Sequence, residues 1–159
     1  MTEALKMLLI GCFACIAVQD SKDRMVYWVL YLGAALLCAA IQIKVIGYEV
    51  TMVNSGINLG FVTIIIFAGL LYARLKMRQP FLNAAIGAGD LLLFVGLCFS
   101  FNTIAFVVLF VFSLIFSLVV HQVTKNKKHA TVPLAGYMSI YFAAIYLVSF
   151  FIPDQYLFS

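Results

Sequence analysis

Charged residues are scarce in this chain of 159 amino acids. They make up 10% of the sequence, whereas hydrophobic residues make up 65%. A soluble domain carries roughly 25% charged residues, and the mean hydropathy here is +1.12. The chain therefore lacks the polar groups that cover a water-exposed surface. This composition excludes a soluble enzyme or a soluble nucleic-acid-binding domain, and we expect a protein embedded in the lipid bilayer.

The motifs of two hydrolase classes are also missing. The sequence contains neither Gly-x-Ser-x-Gly nor His-Glu-x-x-His, the patterns of serine hydrolases and zinc proteases. Cys12 and Cys15 have CxxC spacing, but no second pair or nearby histidine completes a zinc site. His121 and His129 lack acidic ligands around them. We expect no metal site, and we interpret the cysteines as packing residues.

Six apolar stretches approach the length of a bilayer span. About 20 helical residues cross ~30 Å of hydrocarbon, and no alternating strands of the membrane-barrel type occur. We predict an all-α polytopic membrane protein of about six transmembrane helices, forming a single domain over residues 1–159. The expected spans are 4–19, 26–47, 56–75, 86–100, 104–123 and 132–152, with a polar turn at 48–55 and a tight connection at 102–103.

The basic residues lie mainly in alternate loops. Eight of the ten follow the first, third and fifth expected spans. Since basic loops stay in the cytoplasm, we predict that both termini lie outside it, with the protein in the cell (inner or cytoplasmic) membrane. The net charge of +4 then needs no nucleic-acid partner. The cytoplasmic set is Lys22, Arg24, Arg74, Lys76, Arg78, Lys125, Lys127 and Lys128, against Lys6 and Lys44 on the other side.

Two acidic residues fall near the cytoplasmic side of apolar segments. Asp90 follows Gly87, Ala88 and Gly89 in the fourth expected span. An ionisable group in such a segment is costly and usually functional, and small residues allow another backbone to approach. Asp20 ends the first span on the same side, so the two carboxylates would lie at similar depth if their helices are neighbours. Such a pair can share one proton and activate water, as in aspartic proteases.

The spacing alone leaves two alternatives open. Asp90 could cap a helix that starts after the small residues, or it could pair with Lys76 or Arg78. Asp23, three residues after Asp20, could be a loop charge or the first acid of the pair.

The sequence around both aspartates resembles the type IV prepilin peptidase family. Residues 87–90 read GAGD, which is similar to the Gly-x-Gly-Asp motif of membrane aspartic proteases. Asp20 is followed by basic residues and, six positions on, by apolar Val26, like the first catalytic aspartate of that family. Residues 127–134, KKHATVPL, resemble the basic loop and proline that lead into its last helix. The length and number of spans match its short members, including archaeal preflagellin peptidases.

The resemblance implies an aspartic endopeptidase with Asp20 and Asp90 as catalytic residues and residues 87–89 as supporting positions. The spacing to Val26 favours Asp20 over Asp23. The substrate would be a membrane-inserted prepilin-like protein, cut at the cytoplasmic face before its hydrophobic helix. No cofactor is implied, because water is the nucleophile.

The chain departs from that family at three positions. Tyr27 and Trp28 stand where the family has Pro-Asn, and Leu92 stands where a lysine is common. The cysteine-rich insert that is associated with N-methylation is absent, so methyl transfer is not expected. The alternative is a non-catalytic membrane assembly factor or carrier subunit with the same fold. The sequence does not determine the oligomeric state.

Overall fold

The computed structural model describes residues 2–23, 25–72, 75, 87–124, 133–152 and 155–158. Within these ranges the secondary structure is helical, without strands. Four helices are long and apolar enough to cross a membrane. The chain is an all-α membrane protein, as its composition predicts.

The described ranges contain seven helices. The four candidate spans are α1 (Thr2–Asp23), α2 (Trp28–Ile46), α3 (Tyr48–Tyr72) and α5 (Thr103–Thr124). The other three are α4 (Ala88–Leu97), α6 (Leu134–Val148) and α7 (Gln155–Phe158). With 10 residues, α4 is only about 15 Å long, half the thickness of the hydrocarbon.

The centre of the bundle lies among α1, α2, α4 and α6. The most extensive helix contact joins α1 to α6, and α2 packs on both α1 and α4. Helix α5 packs on α6, while α3 contacts α2 and α5 at the edge. The ends of α1, α4 and α6 are therefore held by neighbours on several sides.

The outer surface of the bundle is strongly apolar. Leu36, Ile64, Phe67 and Phe112 on three of the candidate spans are each more than half exposed. Large contiguous apolar surfaces are rare on soluble monomers. Hydrocarbon is therefore the medium that this surface fits.

Packed aromatic rings fill the end of the bundle where α4 and α6 terminate. The ring of Phe101 lies 5.2 Å from that of Tyr146 and 5.3 Å from that of Phe158. Phe13 of α1 lies 6.1 Å from Tyr146, and all four side chains are fully buried. The short helix α7 is attached to the bundle through this cluster.

Lys6 joins the beginning of α1 to the end of α6. Its side chain is buried, and its ammonium group donates hydrogen bonds to Glu3 Oε1 at 3.4 Å and to the carbonyl of Ser149 at 3.3 Å. The ammonium also lies 5.6 Å from the ring centre of Phe150 and 5.9 Å from that of Phe158. These contacts offset the cost of burying the charge.

The predicted polar turn at 48–55 is wrong, because α3 begins at Tyr48. Gly47 alone makes the connection, with a φ of +89° that side chains rarely adopt. Its N–H donates to the carbonyl of Ile43, and its own carbonyl accepts from Thr51 Oγ1 at 2.7 Å. The polar residues that suggested a turn are compatible with a helix, since several find partners there. Besides Thr51, Asn54 is an example: its Oδ1 accepts a hydrogen bond of 3.4 Å from Thr103 Oγ1 at the start of α5.

Candidate functional site

Asp20 lies one turn before the end of α1 and is half-buried. Its Oδ2 atom accepts a hydrogen bond of 2.6 Å from the backbone N–H of Gly136 in α6. Because α1 packs extensively along α6, the Asp20 carboxylate lies at the start of α6. A charge at the end of an apolar helix is thereby given a polar partner inside the bundle.

Asp90 is the third residue of α4 and is also half-buried. Its Oδ2 accepts a hydrogen bond of 3.1 Å from the N–H of Gly87, so the side chain caps its own helix. Its Oδ1 accepts a second bond of 2.8 Å from the N–H of Ala135 in α6. Asp90 therefore combines the capping role with a contact to a third helix. Its possible partners Lys76 and Arg78 lie outside the described residues.

The two carboxylates meet at adjacent backbone amides. The first amides of a helix have no partner within it and carry partial positive charge. Pro133 precedes α6 and has no N–H, and the amides of Ala135 and Gly136 each receive one carboxylate. Because consecutive backbone nitrogens are less than about 4 Å apart, the two accepting oxygens lie within roughly 9 Å of each other. The structure thus brings together the two acids that the sequence singled out.

Gly136 allows the close contact between α1 and α6. A Cβ atom at this position would stand 3.0 Å from Asp20 Oδ2, 3.2 Å from Asp20 Cβ and 3.5 Å from the carbonyl oxygen of Ala17. The two distances to Asp20 are tight for a real side chain, and the third is an ordinary van der Waals contact. The absence of a side chain at 136 gives the Asp20 carboxylate room to reach this amide.

The small residues before Asp90 have separate structural roles. Gly87 donates the capping hydrogen bond, and a Cβ there would lie 3.3 Å from Asp90 Oδ2. Ala88 begins α4 and is exposed. A Cβ at Gly89 would lie 2.7 Å from the hydroxyl oxygen of Tyr31 in α2. Gly89 therefore makes room for a tyrosine beside the carboxylates.

Tyr31 is a residue of this site that sequence reasoning missed. Its side chain is 5% exposed, and its phenol interacts electrostatically with both Asp20 and Asp90. In the sequence it is one of eight tyrosines. No spacing in the sequence distinguishes it from the others.

The positions that depart from the resembled family lie on the outside of the bundle. Tyr27, Trp28 and Leu92 are all exposed. Asp23 is the last residue of α1, but its side chain lies outside the described part of the chain. His129 and the basic residues Lys125, Lys127 and Lys128 lie outside it as well.

Cysteine and histidine residues do not build a metal centre in the described ranges, where no three metal-ligating side chains lie together. Cys12 donates a hydrogen bond to the carbonyl of Leu30, while Cys15 is exposed. The two thiols of the CxxC pair therefore lie in different environments, one against α2 and the other on the outer surface. His121 lies in the last turn of α5.

A groove of about 530 Å³ runs along α1 beside the site. One of its lining residues, Ala17, precedes Asp20 by one helical turn and contacts the Gly136 position. The lining is apolar, with small alanines at two positions, except at the end nearest the carboxylates. It consists of Ala14, Ala17, Val18, Ser21, Lys22 and Ile140.

Comparisons of the chain with protein-family models, with curated proteins and with solved structures found no match.

Proposed function

We propose that this chain is a membrane aspartic endopeptidase in which Asp20 and Asp90 activate a water molecule. The observation that carries the proposal is the convergence of the two carboxylates on adjacent amides at the start of α6. Ionisable groups inside a membrane bundle usually mark a functional site. The resemblance of the two surrounding sequences to prepilin peptidases points to the same pair.

The chemistry needs one ionised and one protonated carboxyl group. The ionised group takes a proton from water as the water oxygen attacks the scissile carbonyl carbon. The protonated group donates its proton to the carbonyl oxygen. When the tetrahedral intermediate collapses, the C–N bond breaks and the amine leaves with a proton from the carboxyl pair. The amides of Ala135 and Gly136 hold the two carboxyl groups in place. The proposed reaction uses water as its nucleophile and requires no cofactor.

The proposed topology has six membrane segments, α1 to α6, and both termini outside the cytoplasm. Its support is the distribution of basic residues, eight of which fall in alternate loops. Exposed Lys22 follows Asp20 by two residues, and α4 and α6 begin at the level of the carboxylates. In this arrangement water reaches the site from the cytoplasmic side of the cell membrane.

The proposed substrate is a membrane-inserted prepilin-like protein. Its hydrophobic helix would lie along the groove on α1, where small side chains allow close approach. Ser21 and Lys22 are at the polar end of that groove, close to Asp20. A helical peptide bond keeps its carbonyl in a hydrogen bond, so the bond to be cut lies in the extended segment just before the helix. Small residues at the cut fit best.

A non-catalytic assembly factor or carrier subunit is the second candidate. The departures at Tyr27, Trp28 and Leu92 favour it, because the resembled enzymes have other residues there. Their exposure argues for the enzyme, since changes on the outer surface leave the carboxylate pair unaltered.

The decisive experiment uses a prepilin-like reporter with two candidate bonds, one just before its hydrophobic helix and one at the helix centre. The protein is reconstituted with the reporter in liposomes, and the products are identified by mass spectrometry. We expect cleavage at the juxtamembrane bond. Cleavage mainly at the central bond would contradict a site at the membrane boundary. An intact reporter that a prepilin peptidase does cut would favour the assembly factor.

A further inference from the structure

The side chain of Tyr31, a residue of α2, packs against Gly89, the residue immediately before Asp90. A Cβ at Gly89 would stand 2.7 Å from its hydroxyl oxygen and 3.3 Å from the ring carbon that bears it. About two turns further along α4, a Cβ at Gly96 would lie 3.6 Å from the Tyr31 carbonyl oxygen and 3.3 Å from Ala35 Cβ. The two helices are therefore closely packed over this stretch. The phenol has little freedom to move away from the carboxylates.

The electrostatic surroundings of this phenol are two carboxylates from different helices. Asp20 of α1 and Asp90 of α4 both act electrostatically on it. Cys12, another titratable residue of α1 near α2, is bonded to the carbonyl of Leu30. A phenol is uncharged at neutral pH and can donate a hydrogen bond to a carboxylate. A donor of this kind forms its stronger bond with the ionised acceptor.

We propose that Tyr31 is a positioning residue of the carboxylate pair, whose hydroxyl donates to the ionised member and so determines which of the two keeps the shared proton. The inference rests on the proposed function for its kinetic consequence. Two interacting carboxyl groups titrate as a pair, so a third group is needed to assign the base and acid roles. Tyr31 supplies that asymmetry. It also explains Gly89, because any side chain there would displace the hydroxyl.

The first test compares Tyr31→Phe with Tyr146→Phe. Tyr146 is a matched control, because it is also a buried tyrosine but its hydroxyl bonds to Cys38 and the carbonyl of Ser100. For Tyr31→Phe we expect kcat to fall about 10- to 100-fold with KM unchanged, the effect of one hydrogen bond to a charged group. The acidic limb of the pH–rate profile should move up by about one unit. A kcat and profile equal to those of Tyr146→Phe would overturn the proposal.

The second test requires no cleavage. Infrared spectroscopy of the reconstituted protein follows the carbonyl stretch of protonated carboxyl groups against pH. In Tyr31→Phe, this band should persist to a pH about one unit higher than in the wild type. If this shift is observed but the wild-type protein cuts no reporter, the role of Tyr31 is supported and the peptidase function is refuted. Identical titrations in an active wild type and in Tyr31→Phe would refute the role of Tyr31 alone.

A third measurement tests the contact between Gly89 and Tyr31 through thermal stability, without depending on activity. Gly89→Ala should lower the melting temperature in the wild-type background, because the added methyl group meets the hydroxyl oxygen. In the Tyr31→Phe background the same change should lower it by less, since that oxygen is gone. Equal losses in the two backgrounds would overturn the contact on which the proposal depends.

Discussion

The backbone of Gly136 lies directly against the side chain of Asp20. The Gly136 N–H donates to Asp20 Oδ2 at 2.6 Å, and a Cβ at 136 would stand 3.0 Å from the same oxygen. The most extensive helix pairing of the bundle, α1 with α6, includes this point. One missing side chain thus sets how closely a carboxylate can approach the start of α6.

Gly136→Ala should therefore separate Asp20 from its amide donor. We expect activity to fall at least about tenfold and stability to fall by about 1–2 kcal/mol, the usual cost of overpacking. The control is Gly60→Ala in α3, where a Cβ meets nothing within 4 Å. That change should be neutral or stabilising by about 0.5–1 kcal/mol. Cleavage rates and thermal unfolding in detergent measure both. Equal effects at 136 and 60 would contradict the tight contact.

Asp20→Asn and Asp90→Asn should each lower cleavage by about 10³-fold or more while leaving the protein inserted in the membrane. The double variant should be no worse than either single one, because the pair acts as a unit. Asp23→Asn, at the last residue of α1, should remain active. If Asp23→Asn loses activity while Asp20→Asn remains active, Asp23 and not Asp20 is the first catalytic acid. Activity in all three variants would end the peptidase interpretation.

The orientation in the membrane can be measured with single cysteines in a cysteine-free background. Lys22 and Glu49 are exposed and lie near opposite ends of α2. In sealed, right-side-out spheroplasts, an impermeant maleimide should label Glu49→Cys and spare Lys22→Cys until the membrane is permeabilised. Labelling of both cysteines from one side would rule out a membrane crossing by α2. The reverse pattern would invert the proposed topology.

Gln42 is a fully buried amide whose side-chain nitrogen and oxygen have no hydrogen-bond partner among the described residues. Burying unpaired polar atoms is unfavourable. Gln42→Leu should consequently stabilise the protein by about 1–2 kcal/mol. Asn58→Leu is the contrasting variant, since Asn58 donates to two backbone carbonyls and its loss should destabilise. Thermal unfolding of both variants measures the difference, and destabilisation by Gln42→Leu would indicate that this amide is satisfied in the membrane.

The helical class and the position of the acidic residues could be predicted because they depend on composition and local order. Long apolar stretches imply membrane helices, and an aspartate after small residues implies a helix start. The tight connection predicted at 102–103 lies at residues 98–102, since Thr103 already begins α5, and Asn102 Oδ1 accepts there from the N–H of Ala105 at 2.7 Å. The turn at 48–55 was wrong because polarity was taken for a loop signal, whereas Gly47 alone reverses the chain.

Tyr31 could not be predicted, since its role arises from tertiary packing. It is brought to Asp20 and Asp90 only when α2 packs on α1 and α4, and Gly89 is its complement on another helix. No local pattern encodes that pairing. The catalytic assignment of the two aspartates and the resemblance to prepilin peptidases remain predictions that the experiments above address.

The aromatic cluster lies at the end of the bundle where α4 and α6 terminate, opposite the carboxylates. Its position matters for the proton gradient across the membrane. Carboxyl groups that exchange protons with water on one side would drain a proton gradient if a file of water continued to the other side. Phe101, Tyr146 and Phe158 pack ring to ring at that end, and the ammonium of Lys6 lies against Phe158. Hydrophobic constrictions stay dry, and a fixed positive charge repels protons. In the proposed enzyme, these rings and the Lys6 ammonium would interrupt such a file of water, so that an acidic site open to the cytoplasm would not conduct protons across the membrane.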